Sequence, residues 1–277
     1  FIGDAKEESI NTLLEMEKLK AEGVIKVLIA SGCLAQRYKE EIQKEIPGVD
    51  AIIGTMAIDK ITESVDKALA GRSENYFKDI STTLVYGKKR IVTTGGHYAY
   101  MKIAEGCDKH CTYCIIPKVR GGYRSIPMES LLKEAAELAE SGVRELILVA
   151  QETTLYGKDL YGKKSLPLLL HKLAEIPGIY WIRILYCYPE EITDELIAAI
   201  KAEDKVCKYL EIPIQHASDN VLGRMGRKTS RADLERIIGK LRAEIPEICL
   251  RTTLITGFPG ETEEDHEENL AFVEEIG

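Results

Sequence analysis

Residues 98–117 read YAYMKIAEGCDKHCTYCIIP. The run 99–105 is short and largely apolar, and reads as a buried strand. Directly after it comes Cys107-x3-Cys111-x2-Cys114 on a loop. Three cysteines within eight residues suit a metal site in reducing surroundings better than a disulfide framework. Three thiolates can each bind one iron of a four-iron cluster and leave the fourth iron open. An open iron can chelate an amine and a carboxylate of a small ligand. Zinc is an open alternative, because His110 stands beside the three cysteines as a fourth candidate ligand.

Downstream of this loop, strand-like and helix-like runs alternate. We expect strands at 145–150, 180–186, 208–213 and 249–256, and helices at 128–141, 165–175, 193–202, 230–243 and 262–276. The strands read as near-continuous apolar runs, the mark of a parallel sheet covered on both faces. Five βα units within 98–277 fit a barrel or partial barrel, whose sites gather at the C-terminal ends of strands.

Upstream, a helix over 6–22 is ended by Gly23, and a strand follows at 24–30. A Ser31-Gly32-Cys33-Leu34 loop leads into a helix near 35–46 that Pro47 stops. A strand at 51–53 and a helix at 57–70 complete a small α/β unit. Residues 73–97 are polar, carry the run Lys88-Lys89-Arg90 and have room for one β-hairpin. The fold class expected is therefore α/β, with a small amino-terminal domain (1–72), a linker (73–97) and a partial (β/α) barrel (98–277). The chain begins at Phe1, and its last helical run stops at Gly277 with no strand after it. We expect truncation at both ends.

Composition narrows the function class. The net charge of −8 argues against a large nucleic-acid surface on this stretch. No apolar run approaches the roughly 18 residues that span a membrane, and no signal peptide is visible. A cytoplasmic location is expected.

Other candidates lie where strands end. A carboxylate at Glu152, beside Gln151, can accept hydrogen bonds from a cofactor amine or ribose. Arg183 and Arg251 lie within apolar strands, and a buried arginine needs an anion: a cofactor or substrate carboxylate, or a structural ion pair. Gln215 and His216 end the fourth strand. Gly257 opens a Gly-Phe-Pro-Gly turn after the fifth, where backbone can approach a flat ligand closely. Cys187, Cys207 and Cys249 lack metal spacing and read as buried thiols.

Taken in order, EGCDKHCTYCIIP (105–117), RGGYRSIP (120–127), ELILVAQETTLYGKDLYG (145–162), WIRILYCYPEEITDEL (181–196), IPIQHASDNVLGRMGR (212–227) and RTTLITGFPGETEED (251–265) resemble the radical S-adenosylmethionine methylthiotransferases. The run at 150–153 and the Leu-Tyr-Cys-Tyr-Pro stretch are similar to the branch that modifies an aspartate β-carbon of ribosomal protein S-twelve. Glu152 departs from that branch, which most often has Asp there. The resemblance implies a 4Fe-4S cluster on Cys107, Cys111 and Cys114, S-adenosylmethionine as co-substrate, and a deoxyadenosyl radical that takes a hydrogen from the substrate carbon. It implies adenine packing near Gly257, and a flavodoxin or ferredoxin as electron donor. AKEESI and SGCLAQRY resemble the family's amino-terminal domain, which binds a second cluster through three cysteines; Cys33 matches the third. One cluster would thus be fully ligated within these residues. The rivals are a methylthiotransferase acting on adenosine in tRNA, and a zinc-binding interaction module without catalysis.

Overall fold

Gly23, at φ +76°, ends the first helix, α1 (Gly3–Ala21). The N–H of Val24 reaches back to Leu19 O (2.9 Å) and that of Gly23 to Lys20 O (3.0 Å), the paired bonds of a glycine-terminated helix. Val24 is thereby spent on the cap, and the strand expected over 24–30 contracts to β1 (Ile29–Ser31). The computed structural model describes residues 3–81, 84, 86–87 and 90–277. Phe1 and the Lys88-Lys89 part of the charge run lie outside the described residues. The chain divides into two compact units, Phe1–Lys88 with Cys114–Gly122, and Lys89–Tyr113 with Tyr123–Gly277.

In the first unit, β1 leads into α2 (Cys33–Tyr38) and α3 (Glu41–Glu45), followed by β2 (Ala51–Ile53) and α4 (Ile61–Leu69). The single helix expected near 35–46 is two, broken at Lys39, which adopts φ +45°. Strands β1 and β2 pair in parallel, Ala30 opposite Ile52, and Tyr76 bridges to Ile53. Asp50 joins the elements: Oδ2 accepts from Leu28 N (2.8 Å) and Oδ1 from Lys20 Nζ (2.6 Å). Leu28, Ala30, Leu34, Ile42, Ile46 and Ile52 form the core, with Leu13 and Met16 of α1 against it.

The second unit begins with β3 (Tyr98–Lys102) and β4 (Ala104–Glu105). After the cysteine loop and α5 (Ile116–Arg120, part of the first unit), it resumes with β5 (Arg124–Ser125), α6 (Met128–Glu140), β6 (Glu145–Val149), α7 (Lys158–Tyr161) and α8 (Leu166–Ala174). Then come β7 (Trp181–Ile184), α9 (Asp194–Ala202), β8 (Val206–Glu211), α10 (Asp219–Arg224), α11 (Arg231–Glu244), β9 (Cys249–Arg251) and α12 (Glu263–Ile276). The main sheet is parallel throughout, in the order β3-β6-β7-β8-β9. Strand order follows chain order without reversal. With right-handed crossovers this puts every connecting helix on one side, which is the wall of a (β/α) barrel.

Burial confirms the one-sidedness and corrects an expectation. Met101, Leu146, Leu148, Ile182, Ile184 and Leu210 are buried against Leu131, Leu138, Leu169, Ile197 and Leu241 from the helices. On the opposite face Tyr100 and Trp181 are exposed. Ile147 and Glu211 on that face are buried, so it is covered only in part. The helices bury their stripes as their sequences dictate, and α11 and α12 each open with a full capping box, Ser230 with Asp233 and Thr262 with Asp265.

The fifth strand is shorter than the expected 249–256 because the regular ladder with β8 stops after Ile212 N–H donates to Arg251 O (2.8 Å). Beyond that point the Thr252 side chain stands in for β9 backbone: its Oγ1 donates to Ile212 O (2.8 Å) and accepts from Ile214 N (3.3 Å). Pairing then resumes irregularly, with Gln215 N–H on Thr253 O (3.0 Å) and Ile255 N–H on Gln215 O (2.8 Å).

Candidate active site

The loops after β3, β6, β7, β8 and β9 all leave the same end of the parallel sheet. The antiparallel pair β4–β5, with Ala104 opposite Ser125 and Glu105 opposite Arg124, closes the base of the cysteine loop. Gly106 turns out of β4 at φ +83°, and its N–H donates to Gln151 Oε1 at 2.7 Å. On the return, Tyr123 N–H donates to Asp108 Oδ1 at 3.0 Å. Thr112 N–H donates to Met225 O at 3.0 Å, and the Tyr113 ring meets Phe258 edge-on at 6.3 Å.

Cys107 and Cys111 are buried and Cys114 is half-buried, with Ile116 N–H on its sulfur at 3.4 Å. Among the described residues, no three His, Cys, Asp or Glu side chains are already gathered around a metal position. The chemistry of the donors is what tests the fit. Three soft thiols closely spaced on one loop suit iron–sulfur ligation. His110 is exposed, in a left-handed turn at φ +53°, whereas Cys107 and Cys111 are buried.

A group that the sequence did not signal surrounds Cys111. Tyr188, in the loop after β7, places its hydroxyl 3.5 Å from Cys111 Sγ. The Arg227 guanidinium lies over the Tyr188 ring at 4.3 Å from its centroid, and Lys109 Nζ at 5.0 Å. Arg227 is buried and donates from Nη2 to Pro213 O at 3.0 Å. Lys109 bonds Glu190 (3.1 Å) and Glu191. Burial opposes the charge on Lys109, but the Glu191 hydrogen bond and both carboxylate fields outweigh it and raise its pKa. Burial also holds the Tyr188 hydroxyl well above its usual range, so it stays protonated. The only sequence signal was an apolar strand ending in Tyr-Cys-Tyr-Pro, which says nothing of contacts across loops.

The expected site residues divide. Gln151 is engaged with Gly106, as described. Glu152 is wholly buried, not on a solvated loop: Oε1 accepts from Thr154 N (3.0 Å) and Thr154 Oγ1, while Oε2 has no partner. Burial pushes its carboxyl up to about 7, against the pull of the Thr154 hydroxyl. Arg183 takes the structural alternative, its Nε donating to Glu145 Oε1 at 2.7 Å. Arg251 is exposed, not buried, and pairs with Glu211 at 3.2 Å. Gln215 is half-buried at φ +74°, an uncommon conformation for a residue with a side chain, as is Tyr186 at φ +59° on the neighbouring strand end. Gly257 is exposed at φ +72°, with open space where a Cβ would stand. His216 is buried; Nδ1 accepts from Ser218 N (3.0 Å) and Nε2 lies 3.5 Å from Glu261 Oε1. Cys33 is half-buried at the start of α2, beside a cavity of about 490 Å³ lined also by Glu8, Ser9 and Thr12. Of the thiols expected to be buried, Cys187 is, Cys207 is half-buried and Cys249 is exposed, because it opens an edge strand.

Comparison with known proteins agrees with this geometry. The family described as "Radical SAM superfamily" matches residues 101–273, and "Uncharacterized protein family UPF0004" matches residues 1–54. Proteins named "Ribosomal protein uS12 methylthiotransferase RimO" from Lachnoclostridium phytofermentans, Clostridium tetani and Clostridium botulinum are 63%, 49% and 51% identical over the whole chain. The chain spans 63%, 62% and 62% of their lengths. Among solved structures, the radical S-adenosylmethionine methyltransferase TsrM from Kitasatospora setae superposes with a TM-score of 0.71 at 14% identity, over 98% of this chain and 56% of that one. The cobalamin-dependent S-adenosylmethionine radical enzyme OxsB does so at 0.65 and 13%, over 95% and 42%. At such identities the likeness is one of fold. The family match covers more than half of the chain, and it falls on the parallel sheet and the three-cysteine loop just described; the chain belongs to the radical SAM superfamily.

Proposed function

We propose that this chain is the larger part of an enzyme that methylthiolates an aspartate of ribosomal protein uS12. The observation that carries the reading is the 63% identity, over all of this chain, to a protein named for that activity. Cys107, Cys111 and Cys114 would hold a 4Fe-4S cluster, and Cys33 would contribute to a second one. The first cluster, when bound with S-adenosylmethionine, supplies one-electron cleavage of a carbon–sulfur bond.

The protein's own share is positioning and shielding. Gln151 pins the start of the cysteine loop through Gly106, and Tyr113 packs its far side on Phe258. Gln215, Arg251 and Gly257, at the strand ends, are the contacts we retain for S-adenosylmethionine. Arg251, exposed and paired on one side with Glu211, would turn its remaining donors to the cofactor carboxylate, and Gly257 would offer an uncrowded backbone. Glu152, buried on Thr154, and Arg183, paired with Glu145, are engaged within the protein and would support the strand ends rather than touch the cofactor. A low-potential flavodoxin or ferredoxin would deliver the electron, and the cytoplasm, where ribosomes are modified, would be the location. No helix among the described residues is long and apolar enough to cross a membrane.

The test is metal and sulfide analysis of protein purified without oxygen, followed by assay of uS12 and of tRNA as substrates with the full-length enzyme. About four irons per three-cysteine loop, lost in Cys111→Ala, with methylthiolation of uS12 alone, is the expected result. Zinc without iron, or modification of tRNA instead, overturns it.

A further inference from the structure

We propose that Tyr188 is a positioning residue for the cluster, donating a hydrogen bond from its hydroxyl to the sulfur of Cys111. This rests on the reading of the cysteine loop given above and adds a residue outside that loop. The contact is 3.5 Å, within the range of an O–H···S hydrogen bond. In a thiol–phenol pair either group could donate. A cysteine bound to iron has lost its proton and can only accept, so ligation fixes the direction from Tyr188 to Cys111.

Two cations hold the phenol in place. Arg227, buried, lies over its ring at 4.3 Å and is anchored to Pro213 O at 3.0 Å. Lys109, on the cysteine loop itself, reaches the same ring at 5.0 Å while tied to Glu190 and Glu191. Glu190 also accepts from Thr229 Oγ1 at 3.0 Å, so the β7 loop and the segment after α10 share one network. Each cation is held to the ring by electrostatic attraction to its π face. Its hydroxyl is polarised as a donor. Hydrogen bonds to cluster sulfurs stabilise the reduced, more negative state and raise the reduction potential.

The experiment compares the anaerobically reconstituted chain with Tyr188→Phe. Both should bind the same iron and sulfide. At one fixed applied potential, the ratio of reduced to oxidised cluster, read by EPR, should fall about tenfold in Tyr188→Phe, equivalent to a drop of about 59 mV for one electron. A second variant guards against a loading defect: 3-fluorotyrosine at position 188 keeps the shape and strengthens the donor, and should move the ratio the other way. Equal ratios in all three proteins, at equal iron content, overturn the assignment of Tyr188 and leave the cluster reading standing. A parent chain that binds no iron overturns both.

Discussion

Gln151 Oε1 accepts the backbone N–H of Gly106 at 2.7 Å, tying the end of β6 to the first turn of the cysteine loop. Gly106 is buried, so its N–H has no recourse to water. Gln151→Leu should cost about 1–3 kcal/mol, the penalty for an orphaned buried donor. Urea unfolding of the metal-free chain measures it. The same variant should bind less iron than the parent, whereas Gln151→Glu, which keeps the acceptor, should retain most of it.

Glu152 makes stability depend on pH in a defined window. Its ordinary value is 4.5 and burial raises it to about 7 in the folded chain. Below pH 4.5 the carboxyl is neutral in both states. Between 4.5 and 7 the unfolded chain ionises first, so stability falls as pH rises; above about 7 the penalty is constant. Glu152→Gln should therefore match the parent near pH 4 and exceed it by about 2–3 kcal/mol at pH 8. Equal stability at both pH values would show that the buried carboxyl is not perturbed.

The Thr252 hydroxyl bridges Ile212 O and Ile214 N where the backbone ladder between β8 and β9 stops. Thr252→Val keeps the shape and removes both bonds. It should destabilise the chain by about 1 kcal/mol, since the site is partly open to water, and Thr252→Ser should recover most of that. Thermal unfolding of the two variants separates the hydroxyl from the methyl.

The three isolated thiols should differ in reactivity. Cys249 is exposed, while Cys187 is buried and its thiol is pushed up to about 12 by that burial. Iodoacetamide at pH 8 should label Cys249 within minutes and Cys187 only in denaturant. Peptide mapping by mass spectrometry gives the order directly.

Much was legible because it is local. Alternation of apolar and amphipathic runs set the βα order, and the spacing of Cys107, Cys111 and Cys114 set the donor chemistry, since both depend on neighbours along the chain. The helices expected at 230–243 and 262–276 start within a residue of the observed ones, which the structure shows opening on capping boxes at Ser230 and Thr262. The short helix at Asp219–Arg224 escaped, being too brief for its period to register.

What the tertiary structure alone decided is which polar groups meet. Arg183 and Arg251 each read as a cation in want of an anion; only the sheet register puts Glu145 and Glu211 beside them. Tyr188 and Arg227 are far from Cys111 in sequence, and no periodicity links them. Their meeting follows from loops leaving one end of a parallel sheet, where segments distant in the chain share a small volume. The sequence by itself determined the order of elements and the chemistry of the cysteine loop; the fold determined its electrostatic surroundings, because charge–charge and hydrogen-bond energies depend on distance in space and not along the chain.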